Sequence, residues 1–381
     1  MTDRANIEVV DSSLVSRTTR ESLAGATLVE RTLGGRVFTM AGGETMQTAP
    51  HVNMEHGGMV LSGPTALQTA WRLRARHQDL VFLIEPTSVL APATAERPLI
   101  IDEPVDALIA PTVEETLQAQ RDAGAAVAVI PAGFVDVADP GALKAVLAAA
   151  DNIDRDDVIL PLAVHQKWST PDHISQLIAV AARSRHPVAL ALGAKAGDPL
   201  NLKGAPESYR RFFGEVKGAV PWRADFAGID ALASGARAAV IGKFPSLRRL
   251  PVPGSRPYSS RPGDRTPHVL MPELMRFARS SEMHLKWFAS ATPWPCPCRH
   301  CEGRAVDSFT GSDEDRLRAH LHNLAALDEI AGIVTSMGTS QVARWWNQRL
   351  AEAEAEHVRL AQHTGVMISM PPTLARWRSL S

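Results

Sequence analysis

The chain is poor in several residue types, and each shortage excludes a class of protein. Only three cysteines occur among 381 residues, and an odd number always leaves one thiol unpaired, so a disulfide framework is not predicted. There are two tyrosines, and aromatic residues make up 5% of the chain. So few aromatic side chains do not support a stacking platform of the kind that single-strand-binding proteins use.

Charge and hydrophobic runs are also limited. The formal net charge is -1, which excludes a uniformly basic coat for nucleic acid but leaves room for a local positive groove. No apolar run reaches the length of about 18 residues that a membrane span needs. The N-terminus "MTDRANIEVVDSS" lacks the charged start and apolar core of a signal peptide. We therefore expect a cytoplasmic protein without a membrane partner.

Short β-branched or aliphatic runs alternate with Ala-rich segments of helical period, which is typical of parallel sheets covered by helices. Several of these helical segments open with proline, as a helix start allows. No GxGxxG or P-loop pattern follows any run, which argues against an open nucleotide-binding sheet. Eight runs predict an α/β fold that is a (β/α)₈ TIM-like barrel. The predicted strands are 58–63, 80–86, 98–104, 125–133, 158–166, 187–193, 220–226 and 238–244.

The remaining segments divide the chain into four predicted regions. Residues 1–57 have mixed β-like patterning and are predicted to cap one end of a barrel at 58–250. Residues 251–270 are rich in Pro, Gly, Ser and Arg and read as a linker or loop. Residues 271–381 are predicted to form a helical, zinc-binding subdomain.

All three cysteines lie within six positions, in "CPCRHC" at Cys296, Cys298 and Cys301. Thiolates with this spacing can converge on one tetrahedral ion, and a fourth ligand from elsewhere would close a structural zinc site. The segment "DRLRAHLHNLAALDEI" offers His320 and His322. Because a helix turns about 100° per residue, these two side chains point to different faces, so only one can be the ligand. The sequence therefore predicts bound Zn²⁺.

The cysteine motif and the segment around His322 together resemble a known family. "CPCRHC" followed by "HNL" resembles the zinc motif of the tRNA-guanine transglycosylase superfamily, whose catalytic domain is a (β/α)₈ barrel with a zinc subdomain after the last strand. The "HNL" context selects His322 as the fourth ligand. The gap between Cys301 and this histidine is a few residues shorter than in the tRNA enzymes.

The resemblance also assigns residues at predicted strand ends, over roughly residues 98 to 325. "PLIIDEP" resembles the segment with the family's catalytic aspartate and places Asp102 there. "LPLAVHQKW" matches Gln166 to a base-binding glutamine, and "ALALGAKAGDP" matches Gly193 and Asp198 to base-contacting positions. A carboxylate at a strand end is equally compatible with a helix N-cap or an ion pair.

The chain departs from the family at the nucleophile. Where the family has an aspartate at the end of the eighth strand, "AAVIGKFPSLRR" places Gly242. The base-reading aspartate of the fourth strand is also missing. By exclusion, Asp225 is the candidate for a covalent role. Glycosidic cleavage needs two neighbouring carboxylates, and Asp102 could be paired with Glu85 or with Asp225.

A basic segment follows the last predicted strand and is a candidate for phosphate contact. "KFPSLRRLPVPGSRP" supplies Lys243, Arg248 and Arg249. Such a cluster can clamp a nucleic-acid backbone by charge, and a solvated surface loop is an equal alternative.

The resemblance implies a glycosyltransferase that exchanges guanine in a polynucleotide for a 7-deazaguanine base, with a structural zinc. Divergence from the tRNA enzymes favours DNA over tRNA as the substrate, and a protein partner or a homodimer is compatible with this function. One alternative is a catalytically silent member that binds nucleic acid or a partner subunit. Another is a barrel enzyme that acts on a free nucleoside.

Overall fold

The computed structural model describes residues 27–101, 110–137, 139–255 and 263–380. Eight of its strands lie in the first two thirds of the chain. In chain order these are β1 Val37–Ala41, β2 Gly57–Leu61, β3 Phe82–Ile84, β4 Ala128–Val129, β5 Val158–His165, β6 Val188–Gly193, β7 Val220–Trp222 and β8 Ala239–Gly242.

The eight strands form two four-stranded parallel sheets, in the orders β3-β2-β1-β8 and β4-β5-β6-β7. Two contacts join the sheets. Ala224, just after β7, makes a parallel bridge to Ile241 of β8. At the other edge, the backbone N–H of Ala126 donates to the carbonyl of Phe82 at 2.8 Å. The prediction of a mixed α/β protein with parallel sheets is thus confirmed.

Within residues 27–101, 110–137 and 139–255, eight helices connect or flank these strands. Three of them have proline in the first turn, where the missing N–H costs nothing. Thr112 caps another through a reciprocal capping box with Glu115. The helices are α1 Leu28–Leu33, α2 Thr45–Thr48, α3 Ala66–Arg76, α4 Val113–Asp122, α5 Pro140–Asp151, α6 Pro171–Ala181, α7 Ala205–Glu215 and α8 Ala227–Ala233.

The strands are buried on both faces, which explains why their sequences are continuously apolar. Along β5, Val158, Leu160 and Leu162 belong to the core shared with the helices. The alternate residues Ile159 and Ala163 pack with residues of both sheets in a separate core. Successive side chains of a strand point to opposite faces. One set therefore packs against the helices, and the other packs between the two sheets.

The remaining chain begins with an antiparallel pair of strands, β9 His268–Met271 and β10 Arg276–Arg279. The short helix α9 Ser280–Glu282 runs into a π-helical turn, Met283–Trp287. Helices α10 Asp313–Thr335, α11 Thr339–Thr364 and α12 Pro372–Ser379 follow. None of the helices in the described ranges combines the length and the apolar character that a membrane span requires.

Two strand positions differ from the sequence prediction. The prediction placed a strand at 98–104, but the described part, 98–101, contributes only an antiparallel bridge from Leu99 to Ala132. Its apolar run reflects a packing role, because Ile100 is buried near Gly133. The missed strand is β1, in the stretch 1–57 predicted as a cap, and it pairs with both β2 and β8.

Candidate metal centre and neighbouring cavity

The three cysteines and one histidine converge at one point. The ligand atoms of Cys296, Cys298, Cys301 and His322 all lie within 4.8 Å of one another. A backbone turn brings the thiols together, with the N–H of Cys301 donating to the carbonyl of Cys298 at 3.0 Å and the N–H of Gly303 to that of Cys296 at 2.9 Å. Helix α10 supplies the histidine. The cluster is compatible with a structural metal ion.

The spacing of the ligand atoms tests that fit. Nδ1 of His322 lies 3.3, 3.4 and 3.5 Å from the sulfur atoms of Cys296, Cys298 and Cys301. Metal–sulfur and metal–nitrogen bonds of about 2.3 and 2.0 Å at tetrahedral angles give edges of about 3.5 Å. Hydrogen bonding from Cys301, followed by His322, lowers the pKa of Cys296 to about 3. The spacing of the donor atoms therefore matches a tetrahedral metal site in size.

Backbone contacts fix the orientation of the histidine. Nε2 of His322 donates to the carbonyl of Leu270 in β9 at 2.7 Å, so Nδ1 is the ring nitrogen that faces the sulfur atoms. The next residue, Asn323, is fully buried. Its amide oxygen accepts from Leu270 N at 2.7 Å, while its NH₂ donates to the carbonyls of Lys243 and His268. These bonds dock α10 on both β9 and the end of β8.

His320 lies apart from the cysteines, as the helical spacing predicted. Its ring stacks on Phe244, with centroids 4.9 Å apart, and its Nδ1 lies 3.9 Å from the carboxylate of Glu44. Burial lowers the pKa of His320 to about 4. The expectation that only one of the two histidines can join the cluster is confirmed.

A second candidate site lies at the carboxyl ends of β6 and β7, where Asp198 and Asp225 follow these strands. Both carboxylates line one cavity of about 480 Å³. Oδ1 of Asp198 accepts from Leu200 N at 2.9 Å, and its Oδ2 accepts from the hydroxyl of Thr373. Asp225 accepts a hydrogen bond at 3.0 Å from the backbone N–H of Ala227, the first residue of α8. The strand topology thus brings together two carboxylates that are distant in sequence.

The two carboxylates differ in environment. Burial raises the pKa of Asp198 to about 6, and the negative charge of Asp225 contributes to the increase. Hydrogen bonds from Thr373 and Leu200 oppose the shift because they favour the ionised form. Asp198 therefore keeps its proton to a higher pH than an exposed aspartate does, which suits the role of an acid.

Arg248 supplies positive charge to the same cavity. Its guanidinium lies over the ring of Phe277, 4.0 Å from the centroid. Burial lowers the pKa of Arg248 to about 10, so the group remains charged at neutral pH. Within the described residues its Nε has no hydrogen-bond partner. Trp287 and the segment 367–373 complete the far wall of the cavity.

The other predicted site residues lie elsewhere. Asp102 falls outside the described residues, so its pairing with Asp225 or Glu85 stays a prediction. Gln166 opens a short 3₁₀ helix after β5 and does not line the cavity. Gly193 ends β6, where a Cβ would lie 2.3 Å from Phe134. The close approach of that ring accounts for the glycine.

A buried ion pair occupies the carboxyl ends of β3 and β7. Nε of Arg223 lies 2.8 and 3.0 Å from the two oxygens of Glu85, and Trp222 Nε1 donates to the same carboxylate at 2.8 Å. Arg223 has a φ of 52°, a left-handed conformation that costs a non-glycine residue about 1 kcal/mol or more. Glu85 is thus engaged with an arginine.

Gly242 stands where the resemblance expects the nucleophilic aspartate, and backbone atoms occupy the space that a side chain would need there. A Cβ on Gly242 would lie 2.4 Å from the carbonyl carbon and oxygen of Leu247. The 3₁₀ turn Pro245–Leu247 folds back over the end of β8 and leaves no room for a side chain there. An aspartate at this position would require that turn to move.

The predicted phosphate contacts need correction at one residue. Lys243 is completely buried, 3.1 Å from a carboxylate oxygen of Glu44 and 3.3 Å from the hydroxyl of Thr48. Burial lowers the pKa of Lys243. Its ammonium neutralises Glu44 inside the protein and does not reach a surface. Arg249 is half-buried, and its Nη1 donates to the carbonyl of Gly197 at 2.8 Å.

Sequence reasoning missed the wall of the cavity opposite the acid pair. Thr373, Phe277 and Trp287 come from the C-terminal third of the chain, which was predicted only as a zinc-binding region. The sequence "MPPT" before α12 signals a sharp helix start. Nothing in the sequence signals its contact with Asp198. Comparison with protein-family models and with curated proteins found no match to this chain.

Proposed function

We propose that this chain is a glycosyltransferase that exchanges guanine in a polynucleotide for a 7-deazaguanine base. The observation that carries the proposal is the pair Asp198 and Asp225 at one cavity, where burial raises the pKa of Asp198. Cleavage of an N-glycosidic bond uses a carboxylate near the sugar and an acid near the leaving base. A cavity of about 480 Å³ is within the range of small-molecule sites.

The two carboxylates take separate roles in the proposed exchange. A carboxylate oxygen of Asp225 attacks C1′, the bond from C1′ to guanine breaks with its electron pair going to the base, and Asp198 gives that base its proton. The incoming base then returns an N–H proton to Asp198. Its nitrogen attacks C1′, and the ester to Asp225 breaks. Two displacements restore the original configuration of the sugar.

The same proposal includes a closed barrel and a bound zinc ion. The bridge from Ala224 to Ile241 and the bond from Ala126 to Phe82 support closure of the two sheets into a (β/α)₈ barrel. Three thiolates and one imidazole are the donors that Zn²⁺ favours in structural sites. A closed set of four ligands leaves no open position, so the metal would support folding and take no part in base exchange.

DNA is the favoured polynucleotide, with tRNA as the second choice, because the chain departs from the motifs of the tRNA enzymes. We place the reaction in the cytoplasm, with a homodimer or a protein partner compatible with it. A free nucleoside is the smaller alternative substrate.

A catalytically silent member of the same superfamily is the second candidate function. Two observations favour it: the backbone of Leu247 fills the space beside Gly242, and Glu85 is neutralised by Arg223. Such a protein would bind nucleic acid or a partner subunit without exchanging a base.

Incorporation of a labelled 7-deazaguanine separates the two candidates. The purified chain, alone and with partner proteins, would be incubated with DNA, with tRNA and with free deoxyguanosine. We expect incorporation into DNA that is lost in both Asp198→Asn and Asp225→Asn and kept in Asp172→Asn, an exposed carboxylate outside the cavity. If the wild-type chain labels none of these substrates, the enzyme proposal fails and the silent-member proposal is retained.

A further inference from the structure

Three cations surround the end of β6, outside the cavity. His165 of β5 and Gly193 of β6 are partners in the sheet register. Lys167 and Lys195 each follow these partners by two residues, so both lysines lie just beyond the paired ends of β5 and β6. Both side chains are exposed. Neither ammonium group has a hydrogen bond or ion pair within the described parts of the chain.

Arg249 joins this pair from the other side. The residue after it, Leu250, makes a parallel bridge to Gly193, and its carbonyl accepts from Ala194 N at 3.0 Å. Arg249 itself donates to the carbonyl of Gly197, in the loop that carries Lys195. We call Lys167, Lys195 and Arg249 the cationic rim.

The two lysines of the rim influence the ionisation of a neighbouring histidine, His165. Burial holds the pKa of His165 below its usual value, and the positive charges of Lys167 and Lys195 lower it further, against the opposing effect of Asp136. Both ammonium groups therefore lie within electrostatic reach of one ring. Asp136, an exposed residue, is the carboxylate that partly offsets them.

Lys195 of the rim and Asp198 at the cavity lie on one short loop. Lys195 and Asp198 are three residues apart, so their Cα atoms lie within about 11 Å of each other. Lys195 is exposed, whereas Asp198 lines the cavity. A nucleotide has a matching arrangement, with an anionic phosphate at one end and a base at the other.

We propose that the cationic rim holds the sugar-phosphate backbone of a nucleic acid while one base enters the cavity beside Asp198. The inference rests on the proposed function for the role of the cavity. It replaces the predicted contact through Lys243 with contacts through Lys167 and Lys195. An acidic polypeptide is the competing occupant of such a surface.

Salt-dependent binding of the full chain tests the rim. Fluorescence anisotropy with single-stranded DNA and RNA of one sequence gives the slope of log Kd against log salt concentration. On a single strand each phosphate contact contributes about 0.7 to that slope, so Lys167→Gln combined with Lys195→Gln should lower its magnitude by about 1.4. Comparison of the two oligonucleotides shows whether DNA or RNA binds more tightly.

Lys217→Gln is the matched control. Lys217 is also exposed but precedes β7, so it lies at the opposite end of the parallel strands. It should leave the slope unchanged. The proposal is overturned if the double variant keeps the wild-type slope, if Lys217→Gln lowers it equally, or if polyglutamate binds in preference to both oligonucleotides.

Because binding is measured without base exchange, its outcome is independent of the enzyme proposal. If the double variant lowers the slope but the wild-type chain exchanges no base, the proposed chemistry is wrong and the proposed role of the cationic rim stands. If the wild-type chain exchanges the base but the double variant keeps the wild-type slope, the proposed role of the rim is wrong and the proposed chemistry stands.

Discussion

The hydroxyl of Thr373, at the start of the last helix, donates a hydrogen bond to the carboxylate of Asp198 after β6. The two residues are 175 positions apart, and Thr373 is buried. This bond is the direct polar link between the acid pair and the C-terminal wall of the cavity. It gives the final helix an influence on the ionisation of Asp198.

Thr373→Val should raise the pKa of Asp198 above its value of about 6. The hydroxyl stabilises the ionised carboxylate, and valine keeps the shape but lacks the donor. A hydrogen bond to a charged group contributes about 1.5 kcal/mol, which corresponds to a shift of about 1 pKa unit. NMR titration of the Asp198 carboxyl carbon measures it directly. Thr373→Ser should keep the wild-type titration, and a value unchanged in the valine variant would contradict the assigned bond.

Asp198 should make the free energy of unfolding depend on pH between about 4 and 6. Its folded-state pKa of about 6 exceeds the ordinary 3.8, so in this window the folded chain holds a proton that the unfolded chain has released. Stability contributed by this group is therefore lost as pH rises, by up to about 3 kcal/mol. Urea unfolding of the wild type and of Asp198→Asn should show that the variant lacks this loss. Asp172→Asn should behave as the wild type does.

Cys298→Ser and His322→Ala should each abolish stoichiometric metal binding. Metal analysis of the wild type should give about one ion per chain, and loss of a closed site should lower the free energy of unfolding by about 4 kcal/mol or more. His320→Ala is the matched control, because this neighbour stacks on Phe244 and should retain the ion. Equal metal content in the His322 and His320 variants would refute the ligand assignment.

Glu85→Gln should destabilise the protein by about 3–5 kcal/mol, because it leaves the buried Arg223 without its charge partner. Replacing both residues by methionine removes the two charges together and should cost markedly less. Denaturant unfolding of the single and double variants measures both effects. Equal losses in the two variants would show that the ion pair does not control stability here.

The metal centre was predictable from sequence because its signal is local. Three cysteines within six positions form a spacing pattern, and the helical period separates His320 from His322. The orientation of His322 by the carbonyl of Leu270 was not predictable, because that contact joins residues 52 positions apart. Local geometry is encoded by neighbours in sequence, whereas long-range packing is not.

The same limit applies to the pair Asp198 and Asp225 and to the cationic rim. Asp198 and Asp225 were each selected, but for different roles, and only the adjacency of β6 and β7 places them at one cavity. Lys243 appeared suited to phosphate contact because the sequence does not reveal Glu44, which lies 199 positions away and pairs with it. The pairing of His165 with Gly193, which brings the segments that carry Lys167 and Lys195 together, became available only with the structure.

The docking of α10 links the metal centre to the cavity. Asn323 and His322 both bond to β9, β9 pairs with β10, and β10 carries Phe277 at the cavity wall. An ion that orders this chain of contacts would raise the affinity of the cavity for its ligand. By reciprocity, a ligand in the cavity would tighten the hold on the ion by the same factor. The two sites would then act as one cooperative binding unit.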